Sequence, residues 1–115
     1  MSLDVTLTKM MPTDVYGSNI THNLSRMAGE VKLWNLPKYT LYDVLWHPEE
    51  HGLLYAKDIV DLLDEAYNTL LASPDYFKKF NPENGWGNYD TLCVFVYKYR
   101  DACRGNPDAE IEVSR

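Results

Sequence analysis

The chain has 115 residues, 45% hydrophobic and 24% charged, with a formal charge of −6 and a pI near 4.9. That length fits one globular domain, residues 1–115, whose core needs neither disulfide nor metal. The acidic balance, with no cluster of Lys and Arg, argues against nucleic acid as a partner, because that binding rests on neutralised phosphates.

No apolar run approaches the roughly 20 residues needed to span a bilayer, so no membrane association is expected. The opening "MSLDVTLTKMM" lacks the charged start and apolar stretch of a signal peptide. Cys93 and Cys103 fall on one expected helix, about 15 Å apart at about 1.5 Å per residue, too far for a disulfide. Two unpaired cysteines and no export signal point to a reducing cytosol.

Residues 3–10, "LDVTLTKM", alternate: Leu3, Val5 and Leu7 on one face, Asp4, Thr6 and Thr8 on the other. The closing "AEIEVSR" alternates too, with Ala109, Ile111 and Val113 opposite Glu110, Glu112 and Ser114. A lone strand is not stable, so the two termini are expected to pair and to lie against helices. A free edge of that sheet would let a homodimer extend it.

"PTDVYG" reads as a turn, and "SNITHNLSRMAGEV" as a helix capped by Ser18 or Asn19. Its apolar stripe would be Ile20, Leu24, Met27 and Ala28, with Gly29 at its end. Pro37 and Pro48 break the next stretch, leaving "TLYDVLW" as a short helix with Leu41, Val44 and Leu45 inward. Residues 54–72 give the clearest helical pattern: Ile59, Leu62, Leu63, Ala66 and Leu70 inward, Asp58, Asp61, Asp64, Glu65 and Asn68 outward. Ser73 and Pro74 start a further short helix.

"NPENGWGN" is a loop, and residues 89–104 are the last helix, capped by Asn88 and stopped by Gly105. Leu92, Phe95, Val96, Tyr99 and Cys103 form its inner stripe. The fold class is therefore α+β and predominantly helical. It has four to five helices and a small two-stranded sheet formed by the N- and C-terminal strands.

Three stretches carry candidate chemistry. "HPEEH", residues 47–51, matches an inverted zinc-protease signature. Pro48 belongs only in a first turn and Gly52 follows at once, so His47 and His51 lack the helix that would align them on a metal. No metal and no cofactor are expected here. Thr21, His22 and Asn23 would fall in the first turns of a helix, where free N–H groups attract anions and a histidine titrates near neutrality. Local capping is the alternative. The two N-x-S/T patterns at Asn19 and Asn23 imply nothing covalent without export. Cys93 lies within an apolar helix and is no nucleophile.

"NGWGNYD" has two readings. The glycines can make a turn that drops Trp86 into the core, which the usual burial of Trp favours. Alternatively they let a ligand approach while Trp86 and Tyr89 stack on it.

Taken together, "NITHNLSRMA", "LYDVLWHPEE", "NPENGWGNYDTLCVFVYKY" and "DAEIEVSR" resemble a family of small uncharacterised proteins of tailed phages and prophages. That family combines a threonine-histidine-asparagine-leucine motif, a leucine-tryptophan-arginine-proline-glutamate motif and an asparagine-glycine-tryptophan-glycine-x-tyrosine motif. The resemblance runs from about Asp4 to the end. His47 stands where the family has arginine, and "EVKLWNLPKYT" is longer than its usual connection. What the resemblance implies is a phage setting rather than a reaction.

The matching positions suggest ligand-binding residues Thr21, His22, Asn23, Trp46, Asn84, Trp86 and Tyr89. The expected function is a non-enzymatic binding protein in the host cytosol. Its partner would be a small polar, nucleotide-like ligand or a host protein. A homo-oligomeric assembly protein is the alternative. A small hydrolase or metalloenzyme using His22, or His47 and His51, is the third reading.

Overall fold

The protein's computed structural model describes residues 2–9, 13–33 and 39–115. The Pro37 break and residue 10, where the first strand was expected to end, lie outside them. The alternation at the start of the chain produces β1, Ser2–Lys9, with Leu3, Val5 and Leu7 buried and Asp4 exposed. The closing alternation produces β3, Glu110–Ser114, antiparallel to β1 with Val5 opposite Val113 and Leu7 opposite Ile111. The two ends of the chain therefore meet as expected.

Among the described residues the sheet has three strands, not two. Thr13–Thr21 forms β2, which pairs with the other edge of β1 and gives the order β2-β1-β3. Leu3 faces Ile20 and Leu7 faces Tyr16, with a register shift after Leu7. So residues 13–17 are not a turn, and 18–21 are not the start of a helix. Val15, Tyr16, Ile20 and Thr21 are β-branched or aromatic and favour extended chain. The helical stripe was half right: Ile20, Leu24, Met27 and Ala28 are all buried, but Ile20 reaches the core from a strand.

The change from strand to helix comes at Thr21, not at Ser18 or Asn19. Thr21 is extended, with φ −64° and ψ 141°, and its hydroxyl accepts the Asn23 N–H at 3.3 Å. A 3₁₀ turn over His22–Leu24 leads into α1, Ser25–Gly29.

The remaining helices follow the apolar spacing. Thr40 and Asp43 cap each other reciprocally at the start of α2, Leu41–Trp46, which buries Leu41, Val44, Leu45 and Trp46. A single 3₁₀ turn, Pro48–His51, ends at Gly52. Then come α3, Ala56–Ala72, and α4, Pro74–Lys78. The last helix is α5, Tyr89–Gly105, with Asn106 rather than Gly105 in the capping position.

α3 and α5 pack against each other, and α5 meets β2, where Tyr99 stacks on Tyr16 at 5.9 Å. The chain entering β3 also fixes the start of α3: the Ala56 N–H donates to Ala109 O and the Ile111 N–H to Leu54 O, both at 2.9 Å. Asp4, Asn19, Glu110 and Glu112 stay exposed on the opposite face of the sheet. One end of that polar face carries the candidate site.

Candidate functional site

The "NGWG" loop is built by its own polar side chains. The Asn84 carboxamide oxygen accepts the Trp86 N–H at 3.0 Å, and that of Asn81 accepts the Tyr89 N–H at 2.8 Å. Gly85 and Gly87 take φ of +76° and +87°, a region that favours glycine. Gly87 has a second constraint. A Cβ there would lie 2.9 Å from Thr21 Cγ2 and 3.0 Å from Leu24 Cδ1. The loop backbone thus rests directly on the "THNL" segment.

This geometry turns Trp86 outward, to 68% exposure, against the burial its residue type favours. Tyr89 is the ring that enters the core. It is 6% exposed, and its hydroxyl donates to Leu70 O at 2.6 Å. Tyr89 therefore packs in the core.

Beside Trp86 lies an open groove of about 480 Å³ lined by Ser2, Asn19, Thr21, Asn23, Asn84 and Trp86. Ser2 is opposite Thr21 in the sheet, and Asn19 is opposite Asp4, so these side chains share the uncovered face. Four of the seven expected binding residues, Thr21, Asn23, Asn84 and Trp86, come together here. Ser2 and Asn19 were missed because residues 18–21 read as helix; the β-branched residues around them were the available signal.

His22 and Trp46 lie elsewhere. Trp46 is 3% exposed and belongs to the core. The His22 ring is half-buried with its centroid 6.1 Å from that of Trp46, in an edge-on arrangement, and its Nε2 is buried without a hydrogen-bond partner among the described residues. Trp46 stacks on Tyr42, and Tyr42 packs on His47, each at 5.4 Å. The three motif stretches do converge, but this ladder of rings joins two of them as packing, apart from the groove.

The "HPEEH" histidines do not face one point. His47 Nδ1 is 2.9 Å from Glu50, and its Nε2 is 3.1 Å from the Tyr42 hydroxyl. His51 Nε2 lies 3.7 Å from Asp43, and its ring packs on Tyr39. Ligand atoms of His47, Glu49 and Glu50 do lie within 4.8 Å of one another. Glu49 already pairs with Arg115, whose guanidinium also donates to Trp46 O at 2.7 Å. Burial alone would raise the Glu49 pKa, but the hydrogen bond from Arg115, a backbone hydrogen bond and the nearby positive charge of Arg115 together outweigh it and hold the carboxyl below its ordinary value. Arg115 is 66 residues away in sequence, so the motif gave no sign of it.

Cys93 and Cys103 are both buried. Burial raises both thiol pKa values, that of Cys103 to about 12, which removes them as nucleophiles near neutrality. No described helix is long and apolar enough to cross a membrane. Comparison of the chain with known protein families, with curated proteins and with solved structures finds no match.

Proposed function

We propose that the protein is a small, non-enzymatic binding protein of phage or prophage origin that acts in the host cytosol. Its ligand is a small polar molecule of nucleotide-like character, or a host protein that presents such a group. Binding would counter a host defence or modulate host physiology. One observation carries this reading: an indole left 68% exposed by a fixed loop, beside a groove lined with carboxamides and hydroxyls. An exposed large ring next to convergent polar groups is what a binding site requires and what packing alone does not. Thermal-shift screening with nucleotides and nucleotide-derived signals tests it. A native-state ligand raises the melting temperature by mass action, and the rise should vanish in Trp86→Ala. A screen with no stabilising compound removes the small-molecule version.

A second reading has its own support. Among the described residues β2 pairs only with β1, so its other edge is a nine-residue template for another strand. A homo-oligomer built on that edge would be an assembly protein. Light scattering behind size exclusion decides: a monomer at micromolar concentration removes it.

A further inference from the structure

We infer that the groove recognises an uncharged planar ring, a nucleobase or nucleoside, and does not read phosphate. This rests on the groove being the binding site and names the class of ligand it takes.

Charge comes first. None of the six lining residues is ionisable, and Asp4 sits directly opposite Asn19 in the sheet. Phosphate recognition draws on Arg, Lys or unpaired N–H groups at a helix start. At the start of α5, the helix this loop leads into, three N–H groups are already taken. The Tyr89 N–H donates to Asn81 and the Thr91 N–H to Asn88, while the Asn88 N–H donates to Thr91 Oγ1. With a net charge of −6 around it, a phosphate would meet repulsion.

Shape and hydrogen bonding come next. Trp86 offers an exposed fused flat ring, suited to stacking on another flat ring. The side chains of Asn19 and Asn23 have no hydrogen-bond partner among the described residues, so each presents a donor and an acceptor in one plane. Asn84 gives its oxygen to the Trp86 N–H, and its amide donors have no partner among the described residues. A carboxamide is the side chain that matches the paired donor and acceptor on a base edge, as in Asn or Gln on adenine. Thr21 and Ser2 add hydroxyls of the kind a ribose would meet. The same groups can also meet a saturated sugar ring, so the experiment includes one.

The full chain is titrated with adenosine, guanosine, cytidine, uridine, the four 5′-monophosphates and maltotriose. Binding is followed by isothermal titration calorimetry at two salt concentrations in the native protein and in Trp86→Ala. The expected result is binding of at least one nucleoside, weakened by about tenfold or more in Trp86→Ala, the size a lost stacking partner gives. Its monophosphate should bind no more tightly, and added salt should not weaken either. Tighter binding of the monophosphate with a steep salt dependence overturns the inference. So does a response to maltotriose alone, or to none of the nine compounds. The function reading is separable from this. If a compound of another class stabilises the protein and loses its effect in Trp86→Ala, the groove remains the site and only the ligand class is wrong. If stabilising compounds ignore Trp86→Ala, the site is wrong too.

Discussion

Gly85 and Gly87 share a left-handed backbone, yet their replacement by alanine should differ. At Gly85 nothing lies within 4 Å of the missing Cβ, so the cost is backbone strain alone, about 1 kcal/mol. At Gly87 the same strain adds to a clash with Thr21 and Leu24, and the cost should reach about 2–3 kcal/mol. Urea denaturation of the two variants checks the order; equal losses would mean the loop does not rest on the "THNL" segment. The tryptophans should separate as sharply. Trp86→Ala should leave stability within about 0.5 kcal/mol, as for other exposed sites, whereas Trp46→Ala should cost about 3–5 kcal/mol. Composition could not assign these two fates, because Trp favours burial in both places. What decided them was the pair of positive-φ glycines, with Tyr89 rather than Trp86 as the ring that enters the core.

At the scale of elements, α5 concentrates what the sequence made legible. Its cap, its inner stripe and its start were all readable, because capping and helical spacing are local. Asn88→Ala should cost about 1 kcal/mol, since the Asn88 carboxamide accepts the Thr91 N–H at 3.0 Å. Tyr89→Phe should cost about 1–2 kcal/mol by stranding the Leu70 carbonyl, a buried acceptor. Both are read as shifts in the denaturant midpoint without a change in slope. The helix also carries an alkaline liability. Burial raises the pKa values of Cys103 and Tyr89 to about 12, so both favour the protonated form in the folded state. Stability from such groups is complete below the unfolded values and is lost as pH rises through the folded ones. Unfolding free energy should therefore fall from about pH 9 toward pH 12, and Cys103→Ala should flatten part of that fall. β2 shows the opposite case. Its first residues read as a turn and Ile20 as part of a helical stripe, and only pairing with β1 selects the extended form.

Over the whole molecule, the last residues hold distant parts together. They supply the third strand, bond the start of α3 and carry Arg115 to the "HPEEH" turn. A chain truncated after residue 109 should lose cooperative thermal unfolding, because Val5 and Leu7 would have a partner strand on one side only. Circular dichroism would show a broad transition; a sharp one near the native midpoint would contradict this. The Glu49–Arg115 pair predicts the acid side. A depressed carboxyl contributes stability above its unfolded value of about 4.5, and loses it as pH falls through the lower folded value. The difference in stability between the native chain and Arg115→Gln should therefore shrink below about pH 4.5.

The sequence by itself determined the α+β class, the helices α2, α3, α4 and α5, the pairing of the two terminal strands and most of the buried residues. These follow from periodicity, capping and proline placement, which act within a few residues. It also singled out the stretches that meet. Only the tertiary structure decided that a third strand exists, that Trp86 faces outward while Tyr89 packs, and that Ser2 and Asn19 join the groove. It also placed His22 and Trp46 in a packed ladder and Arg115 on Glu49. Each of those outcomes depends on contacts between residues far apart in the chain. A strand's register, a backbone pressed against a methyl group and a guanidinium reaching a carboxylate are set by packing that no local pattern encodes.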